Sequence, residues 1–142
     1  MNICMVGTGY VGLVSGTCFA DLGNKVVCVD QDFKKIKNLN LGLSPIYEPG
    51  LNELIKKNYI AKRLIFTTDL AKAVKSSDII FICVGTPTKK HSLKVDLSYL
   101  YKSVKEIIAS TKSKKIIVTK STVPVGTGDE IEKIIKKKKK KN

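Results

Sequence analysis

The sequence predicts an α/β fold: a doubly wound parallel sheet with strand order 3-2-1-4-5. Three observations carry this. Short apolar runs alternate with segments of helical period from one end of the chain to the other. The run "IIFICV" at 79–84 is apolar throughout, as expected of a strand covered on both faces. Glycines cluster directly after the first strand-like run and directly before the first helix-like one.

Taken in order, residues 2–6, "NICMV", form a short buried strand. Residues 11–22 form a helix stopped by Gly23, a favourable residue just past a helix end. "KVVCVD" at 25–30 is a second strand that ends in an acid. Asp32 starts a helix with Phe33, Ile36 and Leu39 on one face, closed by Gly42. Pro45 and Pro49 make 43–51 a loop, and a short helix "LNELIKKN" follows. "RLIFTT" at 63–68 is the third strand, and Thr68 is placed to cap the helix after it. Residues 78–85 are the fourth strand and "TPTKKHSLKVD" a loop. Residues 97–110 form an amphipathic helix with Leu97, Leu100, Val104, Ile107 and Ile108 inward. "KKIIVTK" at 114–120 is the fifth strand. Thr127 and Glu130 have the spacing of a capping box, opening a last helix through Ile135. Strands alternating with helices imply parallel pairing by right-handed crossovers.

The glycine segment is "MVGTGYVGLVSG", residues 5–16. Gly7, Gly9 and Gly12 have the GxGxxG spacing, with a strand before and a helix after. Asp30 closes the next strand 18 residues past Gly12. Each part has a physical task. Gly7 permits the tight turn, Gly9 lets a pyrophosphate approach the backbone, and Gly12 lets helix and strand pack closely. The helix N-terminus offers unpaired N–H groups to the phosphates. Asp30 can accept hydrogen bonds from an adenosine ribose, and its charge opposes a 2′-phosphate. That favours NAD over NADP, although Lys34 and Lys35 lie nearby. This Rossmann-type arrangement places its ligand beyond the carboxyl ends of the strands, where strand order reverses. The loops there are "VGTPTKK", 84–90, and "STVPVGT", 121–127, both rich in hydroxyls.

Other residue classes exclude other functions. Cys4, Cys18, Cys28 and Cys83 form no CxxC pair and sit among aliphatic residues, as small buried hydrophobes in a reducing compartment do. The lone His91 has no partner for a metal, and no metal site is expected. The apolar run at 79–84 falls far short of the ~20 residues a membrane span needs. No secretory signal pattern opens the chain, so a cytoplasmic protein is expected. The formal charge is +14, and residues 136–141 are six consecutive lysines. Arg63 is the only arginine and no aromatics interleave with the lysines, which argues against specific nucleic-acid recognition. The expected organisation is one domain at 1–135 and a disordered poly-lysine tail at 136–142.

In combination, "GTGYVGLVSGTCFADLGNKVVCVD", "IYEPGL", "FTTDL", "IFICVGTPT", "DLSYL" and "VTKSTVPVGT" resemble the N-terminal NAD-binding domain of the UDP-glucose/GDP-mannose dehydrogenase family, over residues 1–135. The resemblance implies an NAD-dependent oxidoreductase that takes UDP-glucose to UDP-glucuronate. GDP-mannose and UDP-N-acetylmannosamine remain alternative substrates, and a non-catalytic NAD-binding module an alternative role. It also implies a UDP-sugar as partner and a homo-oligomer. Carried over by motif, Tyr10 and Val11 with Gly7, Gly9 and Gly12 would hold the pyrophosphate. Asp30 and Lys35 would hold the adenosine ribose. Val84, Gly85, Thr86 and Pro87 would line the cofactor, and Ser121 would join them. Thr122 would bind there too and position a water in the active site. The family's nucleophilic cysteine, its lysine and asparagine partners, and its sixth strand have no counterpart in these residues. A chain truncated before strand 6, with an open edge at strand 5 and inactive alone, is therefore expected.

Overall fold

The computed structural model describes residues 1–89, 94–111 and 113–139. The elements are β1 (Asn2–Val6), α1 (Tyr10–Asp21), β2 (Lys25–Val29), α2 (Phe33–Asn40), α3 (Leu51–Ile60), β3 (Leu64–Thr67), α4 (Leu70–Ser76), β4 (Ile79–Ile82), α5 (Ser98–Ser110), β5 (Ile116–Thr119) and α6 (Thr127–Lys139). The strands form one parallel sheet in the order β3-β2-β1-β4-β5, as the alternation of periods predicts. His91 lies outside the described residues.

Period-two burial along β1 divides the core into two layers. Ile3 and Met5 face α1, α2 and α3, packing with Leu13, Ala20, Ile36, Leu39, Leu51 and Ile55. Cys4 and Val6 face the opposite side, with Val74, Ile80, Ile82, Leu100, Val104 and Ile107 from α4, β4 and α5. Phe81 of β4 points back to the first layer and meets Phe19 at a ring separation of 5.2 Å. Val6 pairs in register with both Val29 and Ile82, so the three central strands end level with one another. That shared end is where the loops converge.

Helix ends differ from the expected ones in three places. Asp32 caps α2 as anticipated, its side chain accepting from the Lys35 amide. Helix α4, however, is capped by Asp69 and not Thr68: the Asp69 carboxylate accepts from the Lys72 amide at 2.9 Å. At α6 no capping box forms. Gly126 turns the chain with φ 87, and the Thr127 hydroxyl donates backwards to the Pro124 carbonyl at 2.7 Å. Glu130 accepts from the Tyr101 hydroxyl on α5 instead of reaching its own N-terminus. Helix α6 also runs to Lys139, beyond the boundary expected at 135. A Lys136–Glu132 pair at 2.7 Å sits one turn apart on it.

Two side chains expected inside are outside. Phe33, the first residue of α2, is 69% exposed although Ile36 and Leu39 are buried. Cys18 is exposed, whereas Cys4, Cys28 and Cys83 are buried as expected. Among the described residues no helix is long and apolar enough to cross a membrane, and no cluster of potential metal ligands occurs.

Candidate functional site

A cleft of about 870 Å³ opens at the level ends of β1, β2 and β4, between the loops that follow them. Its floor is the turn at 7–9. Gly7 has φ 101, and its N–H donates to the Val29 carbonyl at 2.7 Å, tying β1's exit to β2's end. A Cβ at Gly7 would lie 2.7 Å from the Cys83 carbonyl. Gly12 sits beneath the turn, where a Cβ would come within 1.9 Å of the Gly7 carbonyl. Thus Gly12 makes room for the turn itself. A Cβ at Gly12 would also lie 3.1 Å from Cys83 Cβ, and Gly16 shares the close packing of helix on sheet, since a Cβ there would meet Cys28 Sγ at 2.8 Å and Met5 at 3.0 Å. A Cβ at Gly9 would meet nothing within 4 Å, so the cleft side of that residue is open. Gly9 is the N-cap of α1, and no side chain caps this helix. Its free N–H groups and partial positive charge are therefore available to an anion.

Asp30 stands at the end of β2 on one wall. Its Oδ2 accepts from the Thr8 amide at 2.9 Å, the Thr8 hydroxyl at 2.7 Å and Lys35 Nζ at 3.0 Å. Its Oδ1 accepts from the Asp32 amide at 3.0 Å. Burial alone would raise this carboxyl. The Thr8 hydroxyl, the Asp32 and Thr8 amides and Lys35 outweigh it and hold the group at about 2. Asp30 is thus a fixed carboxylate at any physiological pH.

The opposite wall comes from Val84, Gly85, Thr86 and Pro87, all on the cleft. This loop is tied to the next one through hydroxyls: Thr86 Oγ1 donates to the Thr122 carbonyl at 2.9 Å, and Ser121 Oγ to the Val84 carbonyl at 2.7 Å. Farther along, Thr88 pairs with Val95, and the Asp96 amide donates to the Pro87 carbonyl at 2.7 Å. Cys83 also lines the cleft. Burial pushes its thiol up to about 11, against a smaller opposite effect of Lys120, so it is a neutral thiol.

The structure therefore gathers Gly7, Gly9, Asp30, Lys35, Val84, Gly85, Thr86 and Pro87 around one cleft. Gly12 supports it from below. Tyr10 and Val11 are exposed, 56% and 44%, on the first turn of α1 at its rim, and their side chains do not line it. Ser121 and Thr122 reach the cleft only through the bonds to Val84 and Thr86, and the Thr122 side chain is exposed. Sequence reasoning missed Thr8, which is fully buried and makes two of the four bonds to Asp30. It also missed Tyr99, Ser103 and Glu106, which α5 brings to the cleft at one-turn spacing. The helical period of 97–110 could have signalled these three, being the polar stripe beside Leu100, Val104 and Ile107. The Tyr10 hydroxyl donates to the Glu48 carboxylate, fastening the proline loop to the rim; that bond, above burial and the charge of Glu48, raises the phenol.

The glycine cradle with its open Gly9, the uncapped helix and the fixed carboxylate fit the pyrophosphate and adenosine ribose of a dinucleotide. Comparison with known proteins agrees. A family model described as the UDP-glucose/GDP-mannose dehydrogenase family, NAD binding domain, matches residues 1–142. The UDP-glucose 6-dehydrogenase of Rhizobium meliloti (strain 1021) is 55% identical over 136 residues, covering 96% of this chain and 31% of that protein. A UDP-glucose 6-dehydrogenase of Bacillus subtilis (strain 168) is 53% identical over 136 residues, covering 96% and 29%. Among solved structures, a ternary complex of GDP-mannose dehydrogenase from Pseudomonas aeruginosa superposes with a TM-score of 0.89 at 41% identity, covering 95% of this chain and 31% of that one. The chain spans about a third of the length of the curated relatives it matches.

Proposed function

Since the chain belongs to the UDP-glucose/GDP-mannose dehydrogenase family, we propose that it is the NAD-binding part of a UDP-glucose 6-dehydrogenase, which oxidises UDP-glucose to UDP-glucuronate with two NAD. The observation that carries the cofactor half of this reading is the pairing of an open glycine turn with a four-bonded Asp30 across one cleft. The sugar half is supported by the names of its more similar curated relatives.

Bound NAD would supply the acceptor for a hydride from the sugar carbinol carbon. The chain's own residues hold and orient. The α1 N-terminus with Gly7, Gly9, Tyr10 and Val11 receives the pyrophosphate. Asp30 accepts from the adenosine ribose and Lys35 donates to it. Val84 to Pro87 wall the nicotinamide half, and Ser121 fixes that wall by its bond to Val84. The family resemblance alone assigns Thr122 the positioning of a water, because its side chain is exposed and does not line the cleft.

The second oxidation calls for a reactive thiolate, and the cleft's Cys83 is buried with its thiol raised. We therefore propose that the 142-residue chain by itself binds NAD weakly and does not produce UDP-glucuronate. Its free cysteines suit a reducing, cytoplasmic setting.

Calorimetric titration of NAD tests the cofactor reading. Saturable binding is expected, weakened roughly 10- to 100-fold by Asp30→Ala, the range of a hydrogen bond to a charged group. Absence of saturable binding would refute the cofactor assignment. Steady NADH formation from UDP-glucose by the purified chain would overturn its inactivity. A second sugar is favoured by the superposition on GDP-mannose dehydrogenase. Turnover of UDP-glucose, GDP-mannose and UDP-N-acetylmannosamine by the longer polypeptide that we propose contains this chain separates them.

A further inference from the structure

We propose that Thr8 is a positioning residue for the cofactor's ribose: it locks the Asp30 carboxylate so that Oδ2 is consumed inside the protein and Oδ1 alone is presented to the ligand. This rests on the reading of the cleft as an NAD site.

Thr8 is 0% exposed, and both its amide and its hydroxyl point at the same oxygen, Oδ2, at 2.9 and 2.7 Å. Lys35 Nζ reaches that oxygen too, at 3.0 Å. A carboxylate oxygen offers about two lone-pair sites, so three donors leave Oδ2 nothing to give a ligand. Oδ1 meets the Asp32 amide at 3.0 Å, which occupies about one of its two sites. One acceptor position therefore remains on Asp30, and it takes one ribose hydroxyl. Lys35 spends one of its three N–H groups on Asp30, and another is available to the second hydroxyl.

The lock is a product of the glycine turn. Gly7, with φ 101 and its N–H on the Val29 carbonyl, directs the next residue at the end of β2. A threonine there supplies a hydroxyl in addition to the amide. Without that hydroxyl the carboxylate can rotate toward the Lys35 ammonium and lose its fixed Oδ1. Charged groups around the site include Asp32 at the N-cap of α2, Lys35 of α2 and Glu106 of α5, with Lys120 acting on Cys83. Lys102 of α5 bonds Gln31 at 3.3 Å and lies 3.9 Å from Glu106, while the end of β4 brings the neutral Cys83.

The test uses Thr8→Val, which keeps the amide and shape, and Thr8→Ser, which restores a hydroxyl; Thr8→Ala replaces the valine variant if that one does not fold. Two quantities are read: the titration of the Asp30 carboxyl by carbon NMR without cofactor, and the affinity for NAD and for analogues lacking the 2′- or 3′-hydroxyl of the adenosine ribose. Thr8→Val is expected to shift the Asp30 titration upward and to weaken NAD roughly tenfold. It should also shrink the loss caused by removing a ribose hydroxyl. Thr8→Ser is expected to restore all three. A Thr8→Val chain that melts earlier but keeps the wild-type Asp30 titration and NAD affinity would reduce Thr8 to packing and overturn the proposal. If wild-type chain binds no NAD, the cofactor reading fails on its own. The carboxyl titration then still decides the lock: a shift upholds it and an unmoved titration ends it.

Discussion

The two walls of the cleft are built by different physics. On the β2 side a single carboxylate gathers four donors at 2.7–3.0 Å, two of them from a buried threonine held by a glycine turn. On the β4 and β5 side, neutral hydroxyls of Thr86 and Ser121 hold backbone carbonyls, and Thr122 faces solvent. The first wall is charged and determined from several directions, so it is set before any ligand arrives. The second rests on bonds that water can replace. On the proposed NAD reading, the β2 wall would hold the adenosine half and the β4 and β5 wall the nicotinamide half, and substitutions should break the two separately.

The largest effect falls under the turn that joins both walls. Gly12→Ala puts a Cβ 1.9 Å from the Gly7 carbonyl, and that atom is backbone, with no side chain to swing aside. A loss of about 3 kcal/mol or more in denaturant unfolding is expected, with NAD binding lost along with it. Gly9→Ala provides the contrast. Its Cβ meets nothing within 4 Å, so stability should stay within about 1 kcal/mol of wild type. NAD affinity should nevertheless fall, because the methyl would stand where the proposed reading puts the pyrophosphate. If both variants bind and melt alike, the division of labour among the glycines is wrong.

Next comes acid. Asp30 lies at about 2 in the folded chain against an ordinary 3.8. A carboxylate lowered on folding contributes stability that is full above the ordinary value and disappears as pH falls through the folded one. Its share, on the order of 2 kcal/mol, should therefore be present above pH 3.8 and vanish toward about 2. Asp21 and Asp96 are also lowered, the first chiefly by the Lys57 ammonium, the second chiefly by the Ser98 amide, so the wild-type curve contains them as well. The difference curve between wild type and Asp30→Asn isolates the one group. A flat difference from pH 5 to 2 would show that the four donors do not lower Asp30.

How much of this was legible beforehand follows the same division. Strand order and the glycine turn could be read because period and φ demands are local: Val6, Gly7 and Asp30 declare themselves by position. Local signals failed where a tertiary partner outbid them. Thr127 and Glu130 have capping spacing, yet Gly126 turns the chain and Tyr101 takes the glutamate. Thr68, by contrast, lost its cap to a local competitor, the adjacent Asp69, whose carboxylate is the stronger acceptor. In sequence Arg63 is the chain's lone arginine at the start of the third strand. Its Nε bonds Asn58 and the Ala20 carbonyl, completing a chain through Asn58 to Asp21 that closes α3 onto α1. Thr8 carried no signal, since any residue satisfies the spacing between Gly7 and Gly9. Its role exists only because β2 ends beside it.

The smallest effect belongs to the wall made of neutral bonds. Thr86→Val removes the 2.9 Å bond to the Thr122 carbonyl and nothing else that the described residues share with Thr86's hydroxyl. Thr122 is exposed, Thr86 half-buried and the bond between them solvent-facing, so the carbonyl regains a water and no unpaired group is buried. A stability loss of about 1 kcal/mol or less is expected, a shift of roughly 2–5 °C in melting temperature. NAD affinity should fall by less than the roughly tenfold change expected of Thr8→Val, since a hydrogen bond to a charged group is worth more than a neutral one. Ranking the two variants by NAD titration sharpens the comparison directly. Should Thr86→Val prove the more damaging, the nicotinamide wall and not the ribose clamp would govern the cofactor's hold, and the contrast between the walls would have to be reversed.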